Sequence, residues 1–204
     1  MKNLIKEIAI TVGLALVIYL VFHFFIHNAI VHMSSMEPTL HEGQRVFAMK
    51  KFLDPGRGDI IIIHPPIAPN QEFVKRLIGL PGDTVEVKGG VVYVNGVGLV
   101  EPYIVSKPTY TYGPFKVPPD NYFVLGDNRN NSTDSHFNWT VTRDQIVAKA
   151  FFRYWPFSKF GGVGNYNLNA EVQAATSLLP GFNPAAWLVA DIPPPIEVEK
   201  INSP

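Results

Sequence analysis

The segment that decides the fold is Phe73-Val74-Lys75-Arg76-Leu77-Ile78-Gly79. Side chains alternate between the two faces of a β-strand, so Lys75 shares one face with Phe73 and Leu77. Burial disfavours the ammonium form of a lysine, and an apolar setting therefore lowers the pKa of Lys75 and frees its amine to act as a base. An isolated lysine in a strand more often packs its stem and leaves its head in water. Lys75 therefore needs a chemical partner elsewhere in the chain.

Short runs rich in Val, Ile and Phe surround this segment and are separated by Pro and Gly, which predicts β-strands. The predicted strands are residues 44–50, 59–64, 72–79, 84–87, 91–94, 122–125 and 146–154. Gly89-Gly90 and Asn95-Gly96 tolerate the positive φ angles of tight turns, so we expect two consecutive hairpins there. Residues 106–119 contain four prolines and predict an extended connection. The fold class that follows is mainly β, with an antiparallel sheet.

An uncharged run precedes the predicted strands. Residues 8–31 contain no Lys, Arg, Asp or Glu, and this length is sufficient to cross a bilayer as a helix. Lys2 and Lys6 lie before the run, so the positive-inside rule keeps the N-terminus in the cytoplasm and places the chain after about Val31 outside. A cleaved signal peptide and a buried helix of a soluble core are the alternatives. The run exceeds the roughly 7–15 residues of a signal-peptide core and lacks a small-residue cleavage site, which favours one retained transmembrane helix.

Length and composition suit one ordinary domain with appendages, since the chain has 204 residues of which 47% are hydrophobic. We predict a cytoplasmic N-terminus and transmembrane anchor at residues 1–31, a β domain at 32–157 and a C-terminal extension of unknown role at 158–204. Seventeen basic and seventeen acidic residues cancel, so the net charge gives no argument for a nucleic-acid partner. The chain has no cysteine and its six histidines lack ligand spacing, so we expect no metal site.

Ser35 is the first candidate partner for Lys75. It opens a Ser-Met-Glu-Pro-Thr sequence a few residues beyond the predicted membrane surface. A serine hydroxyl is a poor nucleophile until a base removes its proton, so this serine is chemically informative only together with a neutral amine. Taken alone, a serine ahead of Pro38 is more often an ordinary turn residue.

A polar segment follows the predicted strand at residues 122–125. Dense Gly, Asn, Asp and Ser usually form a loop whose side chains bond its own backbone. Within this segment, Ser132 is a candidate to orient the lysine amine through its hydroxyl, and Asp127 and Arg129 are candidates to hold the loop through charge pairs. Arg76, next to Lys75, is the natural partner for Asp127.

Four ordered motifs resemble those of the bacterial type I signal peptidases. They are Ser35-Met36-Glu37-Pro38-Thr39-Leu40, Arg57-Gly58-Asp59, Lys75-Arg76-Leu77-Ile78-Gly79-Leu80-Pro81-Gly82-Asp83 and Gly126-Asp127-Asn128-Arg129-Asn130-Asn131-Ser132-Thr133-Asp134-Ser135. The resemblance runs from the anchor to about Tyr154. It implies that Ser35 is the nucleophile, Lys75 the general base and Ser132 the residue that orients the base.

The same resemblance implies a wider function. The chain is expected to be a serine endopeptidase in the bacterial cell membrane, with its β-rich catalytic domain on the extracytoplasmic side. Its partners would be the lipid bilayer and secreted precursor proteins, from which it would remove N-terminal signal peptides. No metal or organic cofactor is implied, and the oligomeric state is not predicted.

Two positions depart from the family pattern. Some members have a serine two residues before the nucleophile that helps to bind the oxyanion, whereas this chain has Met33. Many members have an arginine after the Asp-Ser pair, whereas this chain has His136, which puts the pairing of Asp134 in doubt. Two other functions stay open: a membrane-bound Ser-Lys peptidase with another substrate, such as a self-cleaving regulator, and a catalytically silent, membrane-tethered binding relative.

Overall fold

The computed structural model describes residues 2–50, 54–169 and 172. The predicted C-terminal extension therefore lies mostly outside the described residues. In the described part, a single helix, α1 (Lys2–Phe25), precedes the strands. These are β1 (Ile26–Ile30), β2 (Arg45–Lys50), β3 (Ile60–Ile63), β4 (Phe73–Gly79), β5 (Thr84–Lys88), β6 (Val91–Val94), β7 (Val97–Gly98), β8 (Tyr112–Lys116), β9 (Asn121–Leu125), β10 (Val141–Thr142), β11 (Ile146–Trp155) and β12 (Gly161–Gly162).

Helix α1 is apolar on all of its sides. Its stretch Asn3–Phe25 has a mean hydropathy of 2.4, and the apolar window within it is 0% buried, so its length and composition suffice to cross a membrane. The helix ends earlier than the uncharged run of the sequence, since residues 26–30 form β1 and pair with β2. Pairing with β2 lets Ala29 enter the core, so the end of the predicted anchor segment belongs to the sheet.

The passage from helix to sheet has no intervening loop. Phe25 ends α1 and Ile26 begins β1. The Lys50 Nζ donates a hydrogen bond of 2.9 Å to the His23 carbonyl oxygen, and the rings of Phe22 and Phe47 meet edge to face with their centroids 6.2 Å apart. The last turn of the helix is therefore tied to the second strand of the sheet.

The larger of two sheets carries the candidate residues. Its strand order is β1-β2-β11-β3-β4-β9-β10, with β12 paired to β11, and the neighbours along it are antiparallel. All four residues of β3 are buried, as expected of a central strand that is covered on both faces. In the register of β3 with β4, Ile61 lies opposite Lys75 and Ile60 opposite Arg76. Both cations are therefore in the interior of the sheet.

The smaller sheet has the order β7-β6-β5-β8. Gly89 and Gly90 join β5 to β6 with φ angles of 57° and 76°, and Asn95 and Gly96 join β6 to β7 with 52° and 79°. Both predicted hairpins are confirmed. Strand β8 lies within the predicted extended connection, and it is an edge strand, a position that tolerates Pro114 because proline has no N–H to donate.

The two sheets pack against each other where β4 ends. One hydrophobic cluster joins Ile78 and Phe123 of the larger sheet to Val85 and Val92 of the smaller one. A Cβ on Gly79 would lie 2.8 Å from a Val85 methyl and 2.9 Å from the Phe123 Cβ, so the close approach requires glycine. The predicted fold class, mainly antiparallel β with one N-terminal apolar helix, is confirmed.

Candidate active site

The Ser35 segment, residues 32–40, enters the protein between β1 and β2 as a series of turns. Met36 is 1% exposed and Leu40 is fully buried, and both belong to the core cluster under the larger sheet. The amide of Leu40 donates to the Met36 carbonyl oxygen at 2.9 Å, which closes the turn between them. These two apolar anchors fix the backbone on the C-terminal side of Ser35, whose own side chain stays half-buried.

Lys75 and Ser35 are brought together. The Lys75 Nζ donates a hydrogen bond of 2.7 Å to the Ser35 Oγ. Lys75 is 1% exposed, and its Nζ lies 5.5 Å from the centre of the Phe73 ring on the same face of β4. The alternation in the sequence predicted this shared face, and the lysine head is in the interior rather than in water.

Burial lowers the pKa of Lys75 from 10.5 to about 8, although the nearby carboxylates of Asp134 and Asp127 act in the opposite direction. Desolvation is the dominant cause because it penalises the ammonium form. Above about pH 8 the amine is mostly neutral, and a neutral amine at this distance can accept the proton of the Ser35 hydroxyl.

The buried ion pair beside Lys75 links three parts of the chain. Arg76 donates from Nε and a terminal nitrogen to the two carboxylate oxygens of Asp127, at 2.8 and 2.7 Å. The exposed fraction of both side chains is 0%. The Thr39 hydroxyl donates to the same carboxylate at 2.5 Å, which connects the pair to the Ser35 segment. The pairing predicted for Arg76 and Asp127 is confirmed.

The polar loop, residues 126–135, holds the backbone of the nucleophile candidate. The amide of Asn128 donates to the Ser35 carbonyl oxygen at 3.0 Å, and its side chain donates to the Ser34 carbonyl oxygen at 3.2 Å. The Asn131 side chain donates to the Ser34 Oγ at 3.0 Å. Sequence reasoning missed these contacts, and the density of asparagine in the loop was the only signal of them.

A second ion pair secures the polar loop from its other side. Arg129 donates to both carboxylate oxygens of Glu101, at 2.8 and 2.7 Å, and its Nε donates to the Gly126 carbonyl oxygen at 2.9 Å. The predicted role of Arg129 in holding the loop is confirmed. Glu101 was missed because it precedes a proline in an irregular stretch without a pattern of its own.

Ser132 is buried beside the candidate pair, but it makes no hydrogen bond to Lys75. In the described part of the chain its Oγ has no hydrogen-bond partner. A Cβ on Gly126 would clash with the Ser132 Oγ and lie 2.5 Å from the Ser35 carbonyl oxygen. The Ser132 hydroxyl and the Ser35 backbone thus border the same small space, which glycine alone leaves open.

The two departures from the family pattern have clear structural positions. Met33 has a φ of 70° and an exposed side chain, so no hydroxyl lies at that position. The doubt over Asp134 does not hold, because its carboxylate accepts hydrogen bonds from the Gly126 amide at 2.9 Å and from the His136 Nδ1 at 2.6 Å.

Comparisons with known proteins indicate the family of the chain. Residues 1–155 match the family described as signal peptidase, peptidase S26. A signal peptidase I from Leptolyngbya laminosa is 46% identical over 76% of this chain and 81% of its own length. A probable signal peptidase I-2 from Synechocystis sp. is 41% identical over 91% of this chain and 86% of its own length. A crystal structure of a signal peptidase I from Enterococcus faecalis V583 is 34% identical and covers 48% of this chain and 98% of its own, with a TM-score of 0.45.

The protein defined by these matches is a serine endopeptidase. The chain belongs to the signal peptidase family, peptidase S26. The alternative of a catalytically silent binding relative is not favoured, since the curated relatives at 40 to 46% identity that lead the comparison carry the name of the enzyme.

Proposed function

We propose that this chain is a membrane-anchored endopeptidase that removes N-terminal signal peptides from secreted precursor proteins by a Ser35–Lys75 dyad. The single observation that carries the proposal is the 2.7 Å contact between the Ser35 hydroxyl and a buried amine. Relatives named signal peptidase I support the choice of substrate.

The chemistry follows from the position of the amine. Neutral Lys75 takes the hydroxyl proton as Ser35 attacks the carbonyl carbon of the scissile peptide bond. The backbone amide of Ser35 is one donor to the developing oxyanion. Met33 has no hydroxyl and cannot act as the second donor that a serine supplies there in some members of the family. Protonated Lys75 then gives its proton to the leaving amine of the substrate. Lys75, neutral again, activates a water that hydrolyses the acyl-enzyme. Each proton taken by Lys75 is returned within the cycle.

Ser132 is proposed as the residue that orients the amine. A buried hydroxyl without a partner is uncommon, because its desolvation is not offset by a hydrogen bond. The hydroxyl borders Gly126 and the Ser35 backbone. As an acceptor for a Lys75 N–H it would keep the amine lone pair directed at the Ser35 Oγ.

The proposed membrane arrangement is supported by α1. Lys2 and Lys6 would remain in the cytoplasm, the helix would span the cell membrane, and the β domain would lie on the extracytoplasmic side. The proposed division is an anchor within residues 1–31, a catalytic domain at 32–157 and an extension at 158–204, with β1 and β12 joining the catalytic sheet from outside the middle segment. A precursor would bind as an extended strand through main-chain hydrogen bonds next to the dyad, with small pockets that select small residues before the cut.

The proposal is tested by incubating the purified full-length protein in detergent with a secretory precursor and measuring product masses. Ser35→Ala and Lys75→Ala should each lower cleavage by about 10³-fold or more, because each removes a group that the reaction needs. Matched controls are Ser106→Ala and Lys88→Ala, at positions away from the dyad, which should cleave at the wild-type rate. Near-normal cleavage by either dyad variant contradicts the proposal, and masses that show cuts only in the enzyme itself would favour a self-cleaving regulator.

A further inference from the structure

His136 makes two close side-chain contacts next to the candidate active site, one with Asp134 and one with Tyr110. Its Nδ1 lies 2.6 Å from the Oδ1 of Asp134, whose side chain is fully buried. Its ring stacks on Tyr110, with the centroids 4.3 Å apart and the planes 15° from parallel. Ring stacking and the hydrogen bond together fix the position of the imidazole.

The contacts of Asp134 lead from His136 to the dyad. Its Oδ2 accepts the Gly126 amide at 2.9 Å, while its Oδ1 faces the imidazole. Gly126 borders both the Ser132 hydroxyl and the Ser35 carbonyl oxygen. A displacement of the Asp134 carboxylate would therefore move the turn that separates these two groups.

The charges around Asp134 single out His136 as its side-chain partner. The other acidic groups that act in this region have cations of their own, because Asp127 is paired with Arg76 and Glu101 with Arg129. Burial lowers the pKa of Lys75 and raises that of the partly buried Tyr110. Asp134 is the carboxylate with the largest effect on each of them, and it acts to raise both pKa values.

We propose that His136 is a positioning residue for the dyad: through Asp134 it holds Gly126 against the Ser35 backbone, and the charge at its ring determines how strongly Asp134 acts on Lys75. The inference rests on the proposed role of Lys75 as the base. It assigns a function to a position at which this chain departs from the arginine of many relatives.

The first test is the acid limb of kcat/KM for precursor cleavage, which reports the ionisation of the base in the free enzyme. His136→Arg places a permanent positive charge beside Asp134, so Lys75 loses its proton more readily and the limb moves to lower pH. His136→Gln keeps a hydrogen-bond donor without a permanent charge. We expect the limb of the Arg variant to lie about half a pH unit below that of the Gln variant.

The second test separates positioning from binding. His136→Ala removes the imidazole donor and leaves Asp134 Oδ1 only the backbone amide of residue 136, at 3.3 Å. The turn at Gly126 is then less well fixed, and we expect kcat to fall about 10-fold with KM nearly unchanged. His136→Gln should restore most of this loss. His64→Gln is the matched control, since His64 bonds a carbonyl oxygen in the loop between β3 and β4, and it should leave kcat and the pH profile unchanged.

A readout without turnover distinguishes a failure of this inference from a failure of the proposed function. Lysine labelled with ¹³C at Cε reports the titration of Lys75 by NMR in the full-length protein, and the Lys75→Ala variant assigns the signal. If the wild type cleaves precursors while the Arg and Gln variants titrate alike, the inference about His136 is overturned and the peptidase stands. If no cleavage occurs but the titration shifts as stated, the coupling stands and the proposed function fails. Should the Ala variant not fold, the Arg and Gln pair still decides the question.

Discussion

The two sheets of the β domain differ most in what they bury. In the larger sheet, β4 places Lys75 and Arg76 in the interior, with exposed fractions of 1% and 0%. In the smaller sheet, the inward positions of β5 and β6 are valines, and the ion pair between Lys88 and Glu86 stays near solvent. Burial of charge is unfavourable unless the charge is paired, so the larger sheet keeps groups that packing alone would not select. The comparison teaches that the smaller sheet is built for packing alone, while the larger sheet also carries the candidate catalytic residues.

The largest expected effect comes from removing the buried amine. Lys75→Met keeps an unbranched apolar side chain and should reduce cleavage by about 10³-fold or more, because the proposed general base is lost. The same change should stabilise the fold by about 3 kcal/mol near neutral pH, since the folded protein no longer has to hold an ammonium group with a lowered pKa. Chemical denaturation measures the stability, and product mass measures the activity.

The pH dependence of that gain has a definite sign. The pKa of Lys75 is about 8 in the folded protein and 10.5 as the ordinary value, so the wild type is destabilised most below pH 8. The penalty shrinks as the pH rises between these values and is absent above the upper one. The advantage of Lys75→Met over the wild type should therefore disappear in strongly alkaline buffer. An advantage that is independent of pH would show that packing, rather than charge, is responsible.

The next largest effect concerns the buried pair. Asp127→Ala leaves the Arg76 guanidinium in the interior without its carboxylate, and we expect a loss of about 3–5 kcal/mol in the free energy of unfolding. Urea denaturation followed by circular dichroism measures it. Asp127→Asn is the matched control, because it keeps the shape and an acceptor and should cost less. A loss below about 1 kcal/mol for the alanine variant would contradict the view that the larger sheet depends on this pair.

The smallest effect is expected in the smaller sheet. Lys88→Ala removes an ion pair of 2.8 Å in which the lysine side chain is 43% exposed, and surface pairs of this kind contribute about 0–1 kcal/mol. Stability by urea denaturation should change within that range, and cleavage should stay at the wild-type rate. If Lys88→Ala destabilised the protein as much as Asp127→Ala, burial would not be the property that separates the two sheets.

Much of the fold could be predicted because local patterns determine it. Runs of Val and Ile gave the central strands, and the Asn-Gly and Gly-Gly pairs gave the hairpins. The two-residue strands β7, β10 and β12 were not among the predicted strands, and neither were the five-residue strands β1 and β8. The last two have separate reasons. The first continues an uncharged run that also suits a helix, and the second contains Pro114, which is compatible with an edge strand but does not predict one.

The candidate site was predictable where chemistry follows from residue type and position. Alternation placed Lys75 on an apolar face, and opposite charge in neighbouring motifs gave the pair of Arg76 with Asp127. The contact of Asn131 with Ser34 depends on how two distant loops pack, which no local pattern encodes. The orientation of Ser132 relative to the amine also stays a prediction, because its hydroxyl makes no hydrogen bond in the described structure.

The direct passage from α1 into β1 has a consequence for the choice of substrate. Phe25 is followed at once by a paired strand, and Lys50 is bonded to the last helical turn. The helix and the β domain are therefore joined without a linker between them. Under the proposed topology, this direct connection would hold the Ser35 hydroxyl at a fixed distance from the lipid surface. Such an enzyme would select its cleavage site partly by distance from the membrane. A peptide bond presented too deep in the bilayer or too far from it would not be cleaved, whatever its sequence.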